Sequence, residues 1–134
     1  MAKVTGIGGV FFLSKDDGKN LSHWYQQHLG MGVEEWGGVV LNWGDDNAGD
    51  GGMTVWHTAA HDSTWFSPSK SSFMINYRID DMDGMIKQLT EAGIDIQQGP
   101  EYHENGIFAW IMDPDGNKVE LWQPMAWDEK NKQQ

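Results

Sequence analysis

Phe73-Met74-Ile75-Asn76-Tyr77-Arg78-Ile79-Asp80-Asp81-Met82-Asp83-Gly84-Met85-Ile86-Lys87-Gln88-Leu89-Thr90-Glu91-Ala92-Gly93 reads as a strand, a capped helix and a stop. The strand spans Ser72 to Ile79, where Phe, Ile and Tyr favour a pleated surface. Asp80 or Asp81 then offers a carboxylate to the first orphan N–H groups of a helix. Met82, Met85, Ile86 and Leu89 recur at helical spacing, so one apolar face is expected. Gly93 ends the helix because glycine adopts positive φ without strain. Further along, Ile94–Gln98, Ile107–Met112 and Lys118–Gln123 read as strands. Asp113-Pro114-Asp115-Gly116-Asn117 joins the last two as a turn.

The same order stands upstream. Val4 to Leu13 is a strand weakened by Gly6, Gly8 and Gly9, which points to close approach of another backbone. Asp16 or Asp17 caps a helix whose face is Leu21, Trp24, Tyr25, His28 and Leu29, with Trp24 in the core. Gly30 stops it. Val33–Trp36, Val39–Trp43 and Met53–Thr58 follow as strands, with Gly37-Gly38 as a hairpin turn and Asp45–Gly52 as a polar loop. Asp16 and Asp80 are separated by nearly the same interval as Gly30 and Gly93, so the chain carries an internal repeat. A single unit leaves one sheet face uncovered, and two units cover each other. The expectation is an α+β domain over 1–134 built from two tandem βαβββ units, 4–58 and 72–124, with a polar tail from 125 to 134. Two curled mixed sheets would enclose a pocket.

Composition narrows the function. Hydrophobic residues make up 39% of the chain, enough for a packed interior. Cysteine is absent, which excludes disulfides, thiolate metal sites and a cysteine nucleophile. The start lacks the apolar run of a signal peptide, and no run approaches a membrane span. A cytoplasmic location is therefore expected. The net charge of −11 repels nucleic acid and anionic lipid, and attracts cations. Eight tryptophans, at 24, 36, 43, 56, 65, 110, 122 and 127, suit both packing and flat ligands.

Three segments resemble the vicinal-oxygen-chelate superfamily of glyoxalases, bleomycin-resistance proteins and extradiol dioxygenases. They are Gly8-Gly9-Val10-Phe11-Phe12 with Asp16 and the following helix, Phe73 to Asp80, and Asp113 to Trp122. The resemblance spans roughly residues 4–124 and implies the paired fold, a ligand pocket and a homodimer. Its metal-dependent members place ligands at four positions that map near Gly9, Trp56, Met74 and Glu120. Only Glu120 suits a hard divalent ion. A slip of one residue would bring His57 in as a second donor, still short of three. The resemblance thus implies a metal-free protein with no cofactor.

Strand alternation predicts the lining. If Glu120 faces the hollow, so do Lys118 and Trp122, with Val119 and Leu121 toward the helix. Trp110 lies opposite Glu120, with Phe108 and Met112 alongside. Met74, Asn76 and Arg78 share one side of their strand. Thr54, Trp56 and Thr58, with Phe11 and Leu13, complete the wall. Arg78 either holds a ligand carboxylate or pairs with Glu120. Trp56 and Trp110 either stack on a ligand or fill the core. His57 and His61 do not share a helical face, and His103 beside Glu101 and Glu104 is a loop residue at the pocket rim. Two functions follow. One is a binding protein for a small cationic or aromatic molecule, touching Phe11, Trp56, Met74, Asn76, Arg78, Phe108, Trp110 and Trp122. The other is a lyase or isomerase on a small carbonyl or hydroxy compound, with Glu120 as proton-transfer base.

Overall fold

Met82 and Ile79 have almost no exposed surface, 0% and 1%, and they mark where the second helix meets its sheet. The structure, a computed structural model, describes residues 1–43 and 53–124. The expected Asp45–Gly52 loop and the tail from 125, with Trp127, lie outside the described residues. The elements in chain order are β1 (Val4–Leu13), α1 (Lys19–Leu29), β2 (Gly38–Asn42), β3 (Met53–Ala59), β4 (Phe73–Ile79), α2 (Met82–Glu91), β5 (Gln98–His103), β6 (Gly106–Met112) and β7 (Lys118–Pro124). This is the mixed α+β class expected. The chain divides into two compact units, Gly8–Met74 and Met1–Ile7 with the chain from Ile75 onward. No helix among the described residues is long and apolar enough to cross a membrane.

In the second unit the sheet order is β4-β7-β6-β5. β4 runs parallel to β7, and β6 runs antiparallel to both β7 and β5. Asp81 is the helix cap: its carboxylate accepts from the Gly84 backbone N–H at 3.1 Å. Asp80, the other candidate, instead accepts from the Lys3 backbone N–H at 2.9 Å. Met82 and Met85 pack with Ile79, Ile107, Ala109, Leu121 and Ala2, flanked by Tyr77, Ile86, Leu89, Ile111 and Val119. Gly93, at φ 78°, closes the helix as expected.

One strand moves. Ile94–Gln98 is not a strand; β5 begins at Gln98 and runs through Gly99 and Pro100 to His103. Glycine and proline masked it, and the register shifts between Gln98 and Glu101 to pass them. His103 is therefore a strand residue rather than a loop residue.

In the first unit the order is β2-β3-β1, with β1 parallel to β3 and β2 antiparallel to it. Gly9 fits the expected close approach: a Cβ there would lie 2.7 Å from the Val55 carbonyl oxygen. Val33–Trp36 forms no strand. Residues 34–38 make a turn in which Glu34 N–H donates to Gly38 O at 2.8 Å and Gly37 N–H donates to Glu34 O at 3.0 Å. Among the described residues this unit therefore has three strands, and the counterpart of β5 is missing.

The first helix also departs from its reading. Gly18, at φ 90°, is its N-cap, with no side-chain cap. Asp16 accepts from Gly18 N–H and Asp17 from Lys19 N–H, so both carboxylates brace the turn before the helix. Its buried position is Ser22, whose hydroxyl donates to Gly37 O at 3.1 Å and lies 3.1 Å from Thr58 Oγ1. Trp24 and Leu29, expected inside, are exposed at 50% and 60%. A small polar residue lets the helix sit close to β3, and hydrophobic periodicity does not register serine.

Candidate functional site

The Asp113–Asn117 turn sets the geometry of the second unit. The Asp113 carboxylate accepts from the backbone N–H groups of Asp115 and Asn117, both at 2.9 Å, and from Asn117 Nδ2 at 3.0 Å. These bonds hold its carboxyl below the usual range. The turn fixes the β6–β7 register, with Trp110 opposite Glu120, Phe108 opposite Trp122 and Met112 opposite Lys118. On the other side of β7, Asn76 lies opposite Glu120 and Arg78 opposite Trp122. Leu121, Ala109, Ile107 and Ile79 point to α2, so alternation sends Asn76, Arg78, Phe108, Trp110, Lys118, Glu120 and Trp122 to the other face.

Glu120 is 8% exposed. Its Oε1 accepts from Asn76 Nδ2 at 2.5 Å and its Oε2 from Trp110 Nε1 at 2.8 Å. Burial pushes the carboxyl pKa up; the bonds from Asn76 and Trp110, and the Lys118 ammonium, pull against it. Burial likewise pushes Lys118 down, against Glu120 and Glu101. Asn76 Oδ1 is buried without a hydrogen-bond partner among the described residues. Turning that amide end for end would give the acid form of Glu120 an acceptor. The site can therefore hold the carboxyl in either protonation state.

Three rings line this face in near-parallel array. Phe108 lies 5.9 Å from Trp122 with 12° between planes, and 6.3 Å from Trp110 with 24°. Lys118 Nζ sits 5.8 Å from the Trp110 ring, and Arg78 Cζ 6.0 Å from the Trp122 ring. Trp122 Nε1 donates to Asn105 O at 2.8 Å. Gly106 makes room: at φ 137°, its Cβ would fall 2.7 Å from that nitrogen. His103 lies at the rim, 5.6 Å from Phe108 and 3.2 Å from Glu101 Oε1.

The remaining predicted lining residues belong to the first unit. Met74 is buried, at 2% exposure. Trp56 is buried against Phe12 and Tyr25, with centroids 5.9 and 4.8 Å away. With Thr58 bonded to Ser22, this turns both β3 side chains toward α1 rather than into a hollow. His57 takes the opposite face of β3, 5.8 Å from Phe11 and close to Trp36 and Trp65. Trp36 and Trp65, counted among the eight tryptophans, were given no place in the site because they sit in turns without periodicity. Among the described residues no group of three or more His, Asp or Glu side chains gathers to hold an ion. The donors present do not fit the metal of the resembled enzymes.

The family model of the Glyoxalase/Bleomycin resistance protein/Dioxygenase superfamily matches residues 9–121. Solved structures share the fold. Methylmalonyl-CoA epimerase from Mycobacterium tuberculosis is 21% identical, with a TM-score of 0.61 over 92% of this chain and 90% of that one. A variant of Streptomyces coelicolor methylmalonyl-CoA epimerase in complex with 2-nitronate-propionyl-CoA is 18% identical, with a TM-score of 0.68 over 92% and 97%. A superfamily member from Vibrio splendidus 12B01 is 14% identical, with a TM-score of 0.53 over 92% and 99%. No curated protein matches the sequence.

Proposed function

Because the chain belongs to the Glyoxalase/Bleomycin resistance protein/Dioxygenase superfamily, we propose that it binds a small aromatic molecule on the second-unit face, without a metal, as a cytoplasmic homodimer. The observation that carries this reading is Glu120, a buried carboxyl held by Asn76 and Trp110 beside three parallel rings. Apolar surface with a few fixed polar groups is how small-molecule sites are built. A planar ligand extends the ring array, and its donor group bonds Glu120.

The test is a thermal-shift screen of planar aromatic compounds. A ligand at about 100 times its Kd adds about 2.7 kcal/mol. That shift should vanish in Trp110→Ala. No stabilising compound, or a shift indifferent to Trp110, would refute the reading. Stoichiometric copurifying metal would refute its metal-free part, and a monomer in sedimentation its dimeric part.

The raised pKa of Glu120 favours a second reading. An elevated carboxyl beside an amide donor suits proton abstraction next to a carbonyl, with Glu120 as base and Asn76 or Arg78 steadying the oxyanion. Glu120→Gln should then abolish substrate-dependent hydrogen exchange with solvent while the fold persists.

A further inference from the structure

A cavity of about 560 Å³ lies wholly within the first unit. Its wall includes Trp36, His57 and Trp65, and its lining carries Asp17, Glu34, Glu35 and Lys19. We infer that this cavity is a separate ligand site, for a small organic cation bearing a methylated ammonium group.

The rings make a cage. Trp36 and Trp65 flank His57, each with its centroid 5.2 Å from the imidazole, and Phe11 stands behind at 5.8 Å. Trp36 and Trp65 are 46% and 47% exposed, so ring surface is open to a ligand. An ammonium within about 6 Å of an indole face is drawn by the ring quadrupole, and methyl groups shed the water a bare ammonium retains. Burial holds His57 below its ordinary pKa, so it brings no competing charge at neutral pH.

Contacts within the unit hold the cage walls in place. Trp36 packs against Gly38, where a Cβ would meet its ring at 2.3 Å. Ser22 ties α1 to the Trp36 turn through Gly37 O. His61 N–H donates to Asp16 O at 2.7 Å, which anchors the segment that leads to Trp65. Fixed walls reduce the ordering cost of binding.

Charge decides between a cation and an anion. The helix N-terminus brings about half a positive charge, and Lys19 a full one. Two N–H groups at that end, those of Gly18 and Lys19, already serve Asp16 and Asp17. Asp17, Glu34 and Glu35 outweigh Lys19, within a chain of net charge −11.

The test uses choline and its neutral isostere 3,3-dimethyl-1-butanol, titrated while the indole N–H signals of Trp36 and Trp65 are followed by NMR. Choline should bind roughly 2- to 30-fold more tightly than the alcohol and move both signals. Trp65→Ala and Trp36→Ala should each weaken choline binding with the remaining spectrum preserved. Equal affinity for the two compounds, no binding of choline, or binding that survives both substitutions would overturn the inference. Loss of choline binding in Trp110→Ala instead would also overturn it, by placing the cation on the second-unit face; the proposed function would stand.

Discussion

A carboxyl at 8% exposure keeps its place only because its neighbours answer it. Glu120 has two donors, Asn76 and Trp110, yet burial still raises its pKa. The raised value has a sign in stability. The folded state holds the Glu120 proton more tightly than the unfolded chain does. Its contribution is therefore fully present below the ordinary value of 4.5, and is lost as pH rises through the folded value. Glutamine cannot titrate. Glu120→Gln should gain stability relative to the parent as pH rises above 4.5, and urea melts across a pH series would follow that difference. A difference flat in pH would mean that Glu120 is not held toward its neutral form. That Glu120 faces Trp110 was legible in sequence because the Asp113–Asn117 turn pins the β6–β7 register, and strand alternation follows from register. Asn76 as its donor was not, since the sequence reading set Arg78 against Glu120 and β4 reaches β7 through no turn. On β3 no turn pinned the phase. A one-residue slip therefore exchanged Trp56 for His57 on the face away from α1.

The two helices show how far periodicity reaches. In α2 the apolar spacing, the Asp81 cap and the Gly93 stop all agree, and the element lies where expected. Asp81→Ala should cost about 1 kcal/mol, within the 0.5–2 usual for a lost cap, as read from chemical denaturation. In α1 periodicity found the helix but set its face off by part of a turn: Tyr25 meets Trp56 as a core residue should, while the buried position is Ser22 and Trp24 is exposed. Two substitutions separate these faces. Trp24→Ala, on the exposed side, should change stability by no more than about 0.5 kcal/mol. Ser22→Leu has to insert volume between Gly37 O and Thr58, and should cost about 1–3 kcal/mol. If leucine were tolerated and alanine at 24 were not, the sequence-derived face would be the correct one. The strands repeat the lesson: β5 was displaced because Gly99 and Pro100 hide a bulged edge, and residues 33–36 read as a strand though their bonds close a turn.

At the scale of the molecule the dominant quantity is charge. The chain carries 20 acidic residues against 9 lysines and arginines, a net −11. Among the described residues His103 and Glu101 meet at 3.2 Å, open to solvent, a contact that is an ion pair only with the imidazole protonated. Such pairs are worth little, about 0–1 kcal/mol, so salt has little attraction to weaken there. It has much repulsion to screen, because a compact state that concentrates like charge is destabilised by its own field. The Debye length falls from about 30 Å at 0.01 M salt to about 8 Å at 0.15 M, which is from longer than a domain radius to shorter. The melting temperature should therefore rise with sodium chloride over that range, and most of the gain should come before physiological ionic strength. Chloride and fluoride salts should act alike, since screening depends on ionic strength rather than on the ion. A melting temperature that fell with salt would show net attraction among the surface charges.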